Sequence, residues 1–298
     1  MAKRPGTSED EYSPPPEIDI AVAHAARVYD YWLGGKDNFE ADRVAAEEVI
    51  AVRPTIIRDI RANRAFLGRA VRFLAGEAGI RQFLDIGTGI PAAGNTYEVA
   101  QSVAPESRVV YVDNDPIVLA HARALLSSSP GGACAYLDAD LKETAAILEA
   151  AARTLDFSRP VAVLFIGVLH LVSEEEDPYG IVAEMVRATV PGSYLALTHP
   201  AKDIDSEMVA EGARRYNERV KVQQTRRSYG ETLRFFDGMR LIPPGLVQCH
   251  RWRPAPGATG LKENVSCHAG VARRPGQGSD GGRLRPRRRK PLHRLPAR

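Results

Sequence analysis

The chain has 298 residues, 44% of them apolar and 26% charged, the balance of an ordinary soluble globular protein with room for one large domain and an extension. Its net charge of +3 conceals a division: residues 273–298 hold ten Lys or Arg against Asp280 alone, leaving residues 1–272 with 30 basic and 36 acidic side chains. A mildly acidic body excludes the basic face of a nucleic-acid binder, and no apolar run approaches the ~20 residues needed to span a bilayer.

Residues 1–17 hold four prolines among polar residues and are expected to be disordered. They contain no apolar leader core, so no secretory signal is visible and a cytoplasmic location is expected. From residue 18 to 79 the pattern is helical, a cap of helices. Within it Ile60, Leu67, Val71 and Leu74 share one helix face, and Gly76 and Gly79 supply stop signals. From Arg81 the grammar changes to strand, loop, helix, repeated through residue 272. RQFLDIG, RVVYVDND, ACAYLDAD, VAVLFIG and GSYLALTH read as strands, with helical patterns such as NTYEVAQSV and LKETAAILEAA between them. Such alternation predicts a parallel α/β sheet covered on both faces. TLRFFDG and GLVQCHRW are expected to close it as an antiparallel edge hairpin. Residues 273–298 read as a basic, disordered tail. For residues 276–298, expected to be dispensable, a nucleic-acid arm is the functional alternative, and a shifted reading frame would give the same composition.

The most informative stretch is FLDIGTGIP (83–91). Gly87 and Gly89 sit at the carboxyl end of the first strand, where open α/β sheets bind ligands. A dinucleotide is the first candidate, but position 92 is Ala92 where the G-x-G-x-x-G fingerprint needs its third glycine. Asp85 would also set a carboxylate beside a pyrophosphate, a repulsion of several kcal/mol in a partly dry site. A cationic ligand reverses that sign, and S-adenosylmethionine (SAM) carries an α-ammonium and a sulfonium. The later strand ends suit the same ligand. Asp113 closes the second strand 28 residues further on, where an ionised acid accepts from both ribose hydroxyls. Asp138 and Asp140 close the third, and either could accept the adenine amino group.

RVYDYWLGGKDNFEADR (27–43), RANRAFLGRAVRFL (61–74), RQFLDIGTGIP (81–91), RVVYVDNDPIVLAHARALL (108–126) and PVAVLFIGVLH (160–170) together resemble a bacterial S-adenosyl methyltransferase family within the class I methyltransferases. The resemblance runs from about residue 20 to Pro275. It implies a Rossmann-like class I methyltransferase sheet with an N-terminal helical extension, and SAM as cofactor. By motif position it implies Asp85, Gly87 and Gly89 at the methionine end, Asp113 and Asn114 at the ribose, and Asp140 and Leu141 at the adenine. Positions 92 and 97 depart from it, with Ala92 and Tyr97 where Thr and His are expected. The methyl acceptor does not follow from the resemblance.

Several groups remain. Tyr29, Tyr31, Trp32 and Phe39 surround a glycine pair, either packing the helices or forming a lid over a cation. His170 and His199, at the ends of the fourth and fifth strands, are the candidate catalytic bases, although transfer of a methyl group needs chiefly an aligned nucleophile. His24, His121, His250, His268 and His293 look incidental. The acidic run at 174–177 reads as a solvated loop before a helix. Cys134, Cys249 and Cys267 lie far apart without a C-x-x-C spacing, which argues for reduced thiols and against a zinc site. The expectation is a cytoplasmic SAM-dependent methyltransferase acting on a small molecule, with no metal. A SAM-binding protein without transferase activity is the alternative, and an NAD dehydrogenase comes third.

Overall fold

The apolar runs form strands because both of their faces are buried. The computed structural model describes residues 18–118, 120, 131–255 and 262–276; the expectations for residues 1–17, for His121 and His293, and for the tail from residue 277 lie outside these. The tail expected from residue 273 begins later, since Arg273 ends a strand and the Arg274 amide donates to the Ser193 carbonyl. One sheet holds β1 (Gln82–Ile86), β2 (Arg108–Asp113), β3 (Ala133–Asp138), β4 (Ala162–Ile166), β5 (Tyr194–Pro200), β6 (Arg240–Leu241), β7 (Val247–Gln248) and β8 (Cys267–Arg273). The order is β3-β2-β1-β4-β5-β8-β6, with β7 also on β8. The first five strands are parallel, and β8 runs antiparallel to β5 with His268 opposite His199.

Alternate residues go to opposite sides, as the pleat requires. Phe83, Val109, Tyr111, Leu164 and Ala196 pack with α3 (Ile56–Arg72) and α4 (Thr96–Val103). Leu84, Val110, Val112, Val163 and Phe165 pack with α5 (Thr144–Ala151) and α6 (Pro178–Arg187). The sheet is therefore doubly covered. Because β1 has β2 on one side and β4 on the other, the strand order reverses there, which opens a crevice at the carboxyl ends.

Two differences from the sequence expectations have physical causes. The helical region splits, since α3 uses Leu67 and Val71 to cover the sheet. The helices above the crevice are α1 (Ala25–Leu33) and α2 (Glu40–Val52), which share a small core with α7 (Ser206–Asn217) through Val28, Trp32, Val49 and Tyr216. The edge hairpin is also corrected. TLRFFDG is helical, continuing from α8 (Tyr229–Leu233) into a tight turn at Arg234–Phe236. Ser228 and Glu231 cap it reciprocally, a start signal legible as S-x-x-E. GLVQCHRW holds only the two residues of β7 before a helical turn. The strand added antiparallel to β5 is β8, with β6 and β7 antiparallel at the edge beyond it, and its Gly270 leaves room for the Phe236 ring, 2.9 Å from where a Cβ would stand.

Candidate active site

The site begins with the turn after β1. Gly87 and Gly89 both have positive φ, 68° and 67°, which only glycine adopts without strain. A Cβ on Gly87 would also overlap the Val168 side chain. The amides of Gly87 and Thr88 donate to the Val112 carbonyl at 2.8 and 3.3 Å, and that of Gly89 donates to Asp113 Oδ2 at 2.8 Å. Asp113 Oδ1 accepts from the Asp115 amide at 3.0 Å. The loop is thus fastened to the end of β2, and the Asp113 carboxylate is oriented while keeping lone pairs for a ligand. Asn95 ends the loop by capping α4, accepting from the Glu98 amide at 3.1 Å.

Asp85 is 5% exposed and accepts from Thr96 Oγ1 at 2.6 Å. Burial pushes its carboxyl up to about 6, against the pull of that hydrogen bond and of Arg64. Burial likewise raises Asp113, opposed by its two amide donors. Of the two acids at the end of β3, Asp138 is exposed, while Asp140 lies in the crevice and accepts from the Lys142 amide at 3.0 Å.

These residues share one cavity of about 480 Å³. Its walls include Asp85, Gly87, Gly89, Asp113, Asn114, Asp140 and Leu141, together with His170. The cavity crosses the ends of β1, β2 and β3 and continues past β4 beneath α1 and α2, where Tyr29, Trp32, Val49 and Ile60 line it. Two acids beside a glycine turn that admits close approach, with a hydrophobic extension beyond, suit a ligand that carries a cation, hydroxyl groups and an apolar end.

The sequence model of the S-adenosyl methyltransferase family matches residues 11–275. The chain belongs to that family. It is a SAM-dependent methyltransferase, with SAM as its methyl donor. Among solved structures it is similar to a DUF574 family protein from Streptomyces avermitilis, 46% identical over 87% of this chain and 100% of that one, TM-score 0.84. It is also similar to a candidate methyltransferase from Thermobifida fusca, 41% identical over 88% of this chain and 98% of that one, TM-score 0.81. No curated protein matches it.

The two candidate histidines of the methyltransferase separate. His170 stands in the cavity wall, its Nδ1 enclosed without a hydrogen-bond partner. Burial, aided by Arg226 and Arg227, drives its pKa down to about 3. His199 is fully buried and outside the cavity. Arg227 Nη1 lies 2.9 Å from its Nε2, and the Pro200 carbonyl lies 3.0 Å from its Nδ1. Arginine only donates, so Nε2 accepts, Nδ1 donates, and no lone pair is left for an incoming proton. His199 is therefore a framework residue and not a base, contrary to the sequence expectation.

Other residues of the methyltransferase were not anticipated. Arg64 lines the cavity and donates through Nη2 to the Ala92 carbonyl at 2.8 Å, while its Nε is enclosed without a partner. It lies on the same helical stripe as Ile60, Leu67 and Val71, so a charge on a buried face was the available signal. Asn63, also in the wall, donates to the Tyr29 hydroxyl at 2.9 Å. His24, set aside as incidental, borders the cavity with Nδ1 2.7 Å from Asp115 Oδ2.

The aromatic motif serves both packing and lining. Tyr29 and Trp32 face the cavity, whereas Phe39 packs against Ile90 and Ile117. Asp30 accepts from the Asp37 amide at 3.0 Å and from Asn38 Nδ2 at 2.9 Å. Asp42, fully buried, accepts from the amides of His24 and Phe39, both at 2.8 Å. The acidic run is paired rather than merely solvated: Glu174 holds Arg227, Glu176 holds Lys142, and Asp177 caps α6. Among the described residues no cluster of His, Cys, Asp or Glu is placed to hold a metal ion, and no helix is long and apolar enough to cross a membrane.

Proposed function

We infer that this methyltransferase modifies a small molecule held between the strand ends of β4 and β5 and the helices α1 and α2. The single observation behind this reading is the continuity of the cavity, from Asp113 and Asp140 at one end to Trp32 and Ile60 beyond His170. The cofactor lies along β3, β2 and β1, with Asp140 and Leu141 beside the adenine, Asp113 and Asn114 at the ribose and the glycine turn under the methionine. Asp85 accepts from the α-ammonium, and the unpartnered Nε of Arg64 suits the carboxylate of the same amino acid. When bound, SAM supplies a methyl group made electrophilic by its sulfonium.

The chain's own contribution is alignment and exclusion of water. A histidine at a pKa of about 3 is neutral throughout the physiological range, so His170 positions the acceptor by hydrogen bonding and does not store its proton. Domain organisation follows the same division: a helical cap of α1 and α2 over a SAM-binding α/β unit that includes α3. Cytoplasmic location fits three free cysteines.

Calorimetric titration with SAM and with NAD tests the cofactor assignment. SAM is expected to bind wild-type protein and to bind Asp113→Ala more weakly, and NAD is expected not to bind. Unchanged SAM affinity in Asp113→Ala would remove that residue from the ribose site.

A further inference from the structure

Residues 225–228 read TRRS, and the two arginines have opposite fates. The segment is extended beside the end of β5, with Arg227 bridged to Ala201, so consecutive side chains point to opposite sides. Arg227 is fully satisfied: it donates to Glu174 Oε1 at 2.8 Å and to the Leu169 and Val172 carbonyls and His199, each at 2.9 Å. Arg226 turns into the cavity wall. Its Nε and Nη1 are enclosed, and neither has a hydrogen-bond partner among the described residues.

Arg226 is half-buried as a whole, but two of its donors have lost their water and gained no partner, which is costly. Burial, and then the like charge of Arg53, draw its pKa down to about 9, against the opposing pull of Asp59. Arg53 does not relieve it. That side chain is itself held by Asp59, with Nη2 to Oδ2 at 2.5 Å, and Asp59 is shared with Arg58. The buried Arg53 and the half-buried Arg226 thus face one carboxylate, which leaves one positive charge without a partner of its own. Tyr216 and Ile56 supply apolar wall nearby.

Position in the sheet decides whose partner is missing. The cofactor acids lie on the β1, β2 and β3 side, while Arg226 lies beyond β4, next to β5 and β8. We propose that Arg226 is the anion-binding residue of the acceptor subsite, and that the methyl acceptor is a small carboxylic acid with an apolar body. The inference rests on the cofactor placement given above. One uncompensated charge matches a monoanion, and a hydrogen bond from a guanidinium to an ionised carboxylate is charge-assisted.

Benzoate and its neutral isostere benzamide are the probes, titrated into protein loaded with S-adenosylhomocysteine, for the wild type and for Arg226→Met and Arg226→Lys. Benzoate is expected to raise the melting temperature of the wild type more than benzamide does. Arg226→Met is expected to weaken benzoate binding by about ten- to a hundredfold and to leave benzamide binding unchanged, with Arg226→Lys in between. S-adenosylhomocysteine affinity, measured separately, should be the same in all three proteins. Its absence in the wild type would count against the cofactor reading, whereas equal effects of benzoate and benzamide on the wild type, or benzoate binding that survives Arg226→Met, would overturn the acceptor proposal alone.

Discussion

At the scale of single residues, Asp85 carries the sharpest expectations. Its carboxyl stands at about 6 in the folded protein, above the ~3.9 of an unfolded aspartate. A folded value raised in this way contributes stability below pH 4 and loses it as the pH rises through 6. Asp85→Asn should therefore raise the melting temperature of the ligand-free enzyme at pH 8 and leave it unchanged near pH 4, with a gain of up to about 3 kcal/mol. The same substitution should weaken SAM, since the ligand's ammonium loses its countercharge. In the wild type, SAM binding favours the carboxylate, so its affinity should fall as the pH drops below 6, with proton release on binding. Calorimetry in two buffers reads both, and an Asp85→Asn protein with the same acid limb would show that another group titrates. Asp113→Ala removes charge-assisted hydrogen bonds of roughly 1.5–3 kcal/mol each, and a ten- to hundredfold weaker SAM affinity is expected. These acids were legible in the sequence because each stands at the carboxyl end of a strand, on the same edge of the sheet. Arg226 and Arg227 were not, because adjacent arginines look alike until the backbone sends one to a carboxylate and the other to a cavity.

At the scale of elements, the parallel strands that bury both faces were legible and the antiparallel strand beside β5 was not. VVYV and VAVLFI are continuous apolar runs, whereas β8 reads CHAGVAR, with a histidine near its start and a glycine in its middle. Its glycine answers to Phe236, which is a tertiary demand invisible to local pattern. The paired phenylalanines of TLRFFDG suggested a strand, yet Ser228 and Glu231 already spelled a helix start. The loop between α1 and α2 is organised by Asp30, and a Cβ on Gly35 would overlap that carboxylate. Gly35→Ala should therefore displace Asp30 from Asp37 and Asn38 and destabilise the protein by about 1–3 kcal/mol, the usual cost of overpacking. Because Tyr29 and Trp32 of α1 line the cavity, SAM should slow amide exchange in residues 29–39, and equal exchange with and without ligand would make the segment ordinary packing. The Gly35→Ala protein should show faster exchange there before ligand is added.

At the scale of the whole molecule, the basic tail is the feature whose necessity is least evident. The described fold is anchored as far as Arg274. Its amide donates to the Ser193 carbonyl at 2.8 Å, its carbonyl accepts from the Gly192 amide at 3.0 Å, and its Nη1 reaches the Val186 and Arg187 carbonyls at 3.1 Å. The family match ends one residue later, at 275. Residues 277–298 contribute eight Lys or Arg and no large apolar side chain beyond three leucines, too little to bury a core of their own. Deleting them should leave both the melting temperature and the affinity for SAM unchanged. Deleting residues 267–298 should abolish folding, because β8 fills the place between β5 and the edge strands. If the tail instead serves as a nucleic-acid arm, full-length protein should bind duplex DNA at low salt with an affinity that falls steeply as salt is added, and the shortened protein should not. A drop in melting temperature or in SAM affinity on removing 277–298 would mean that the tail packs on the enzyme, and would overturn the expectation that it is dispensable.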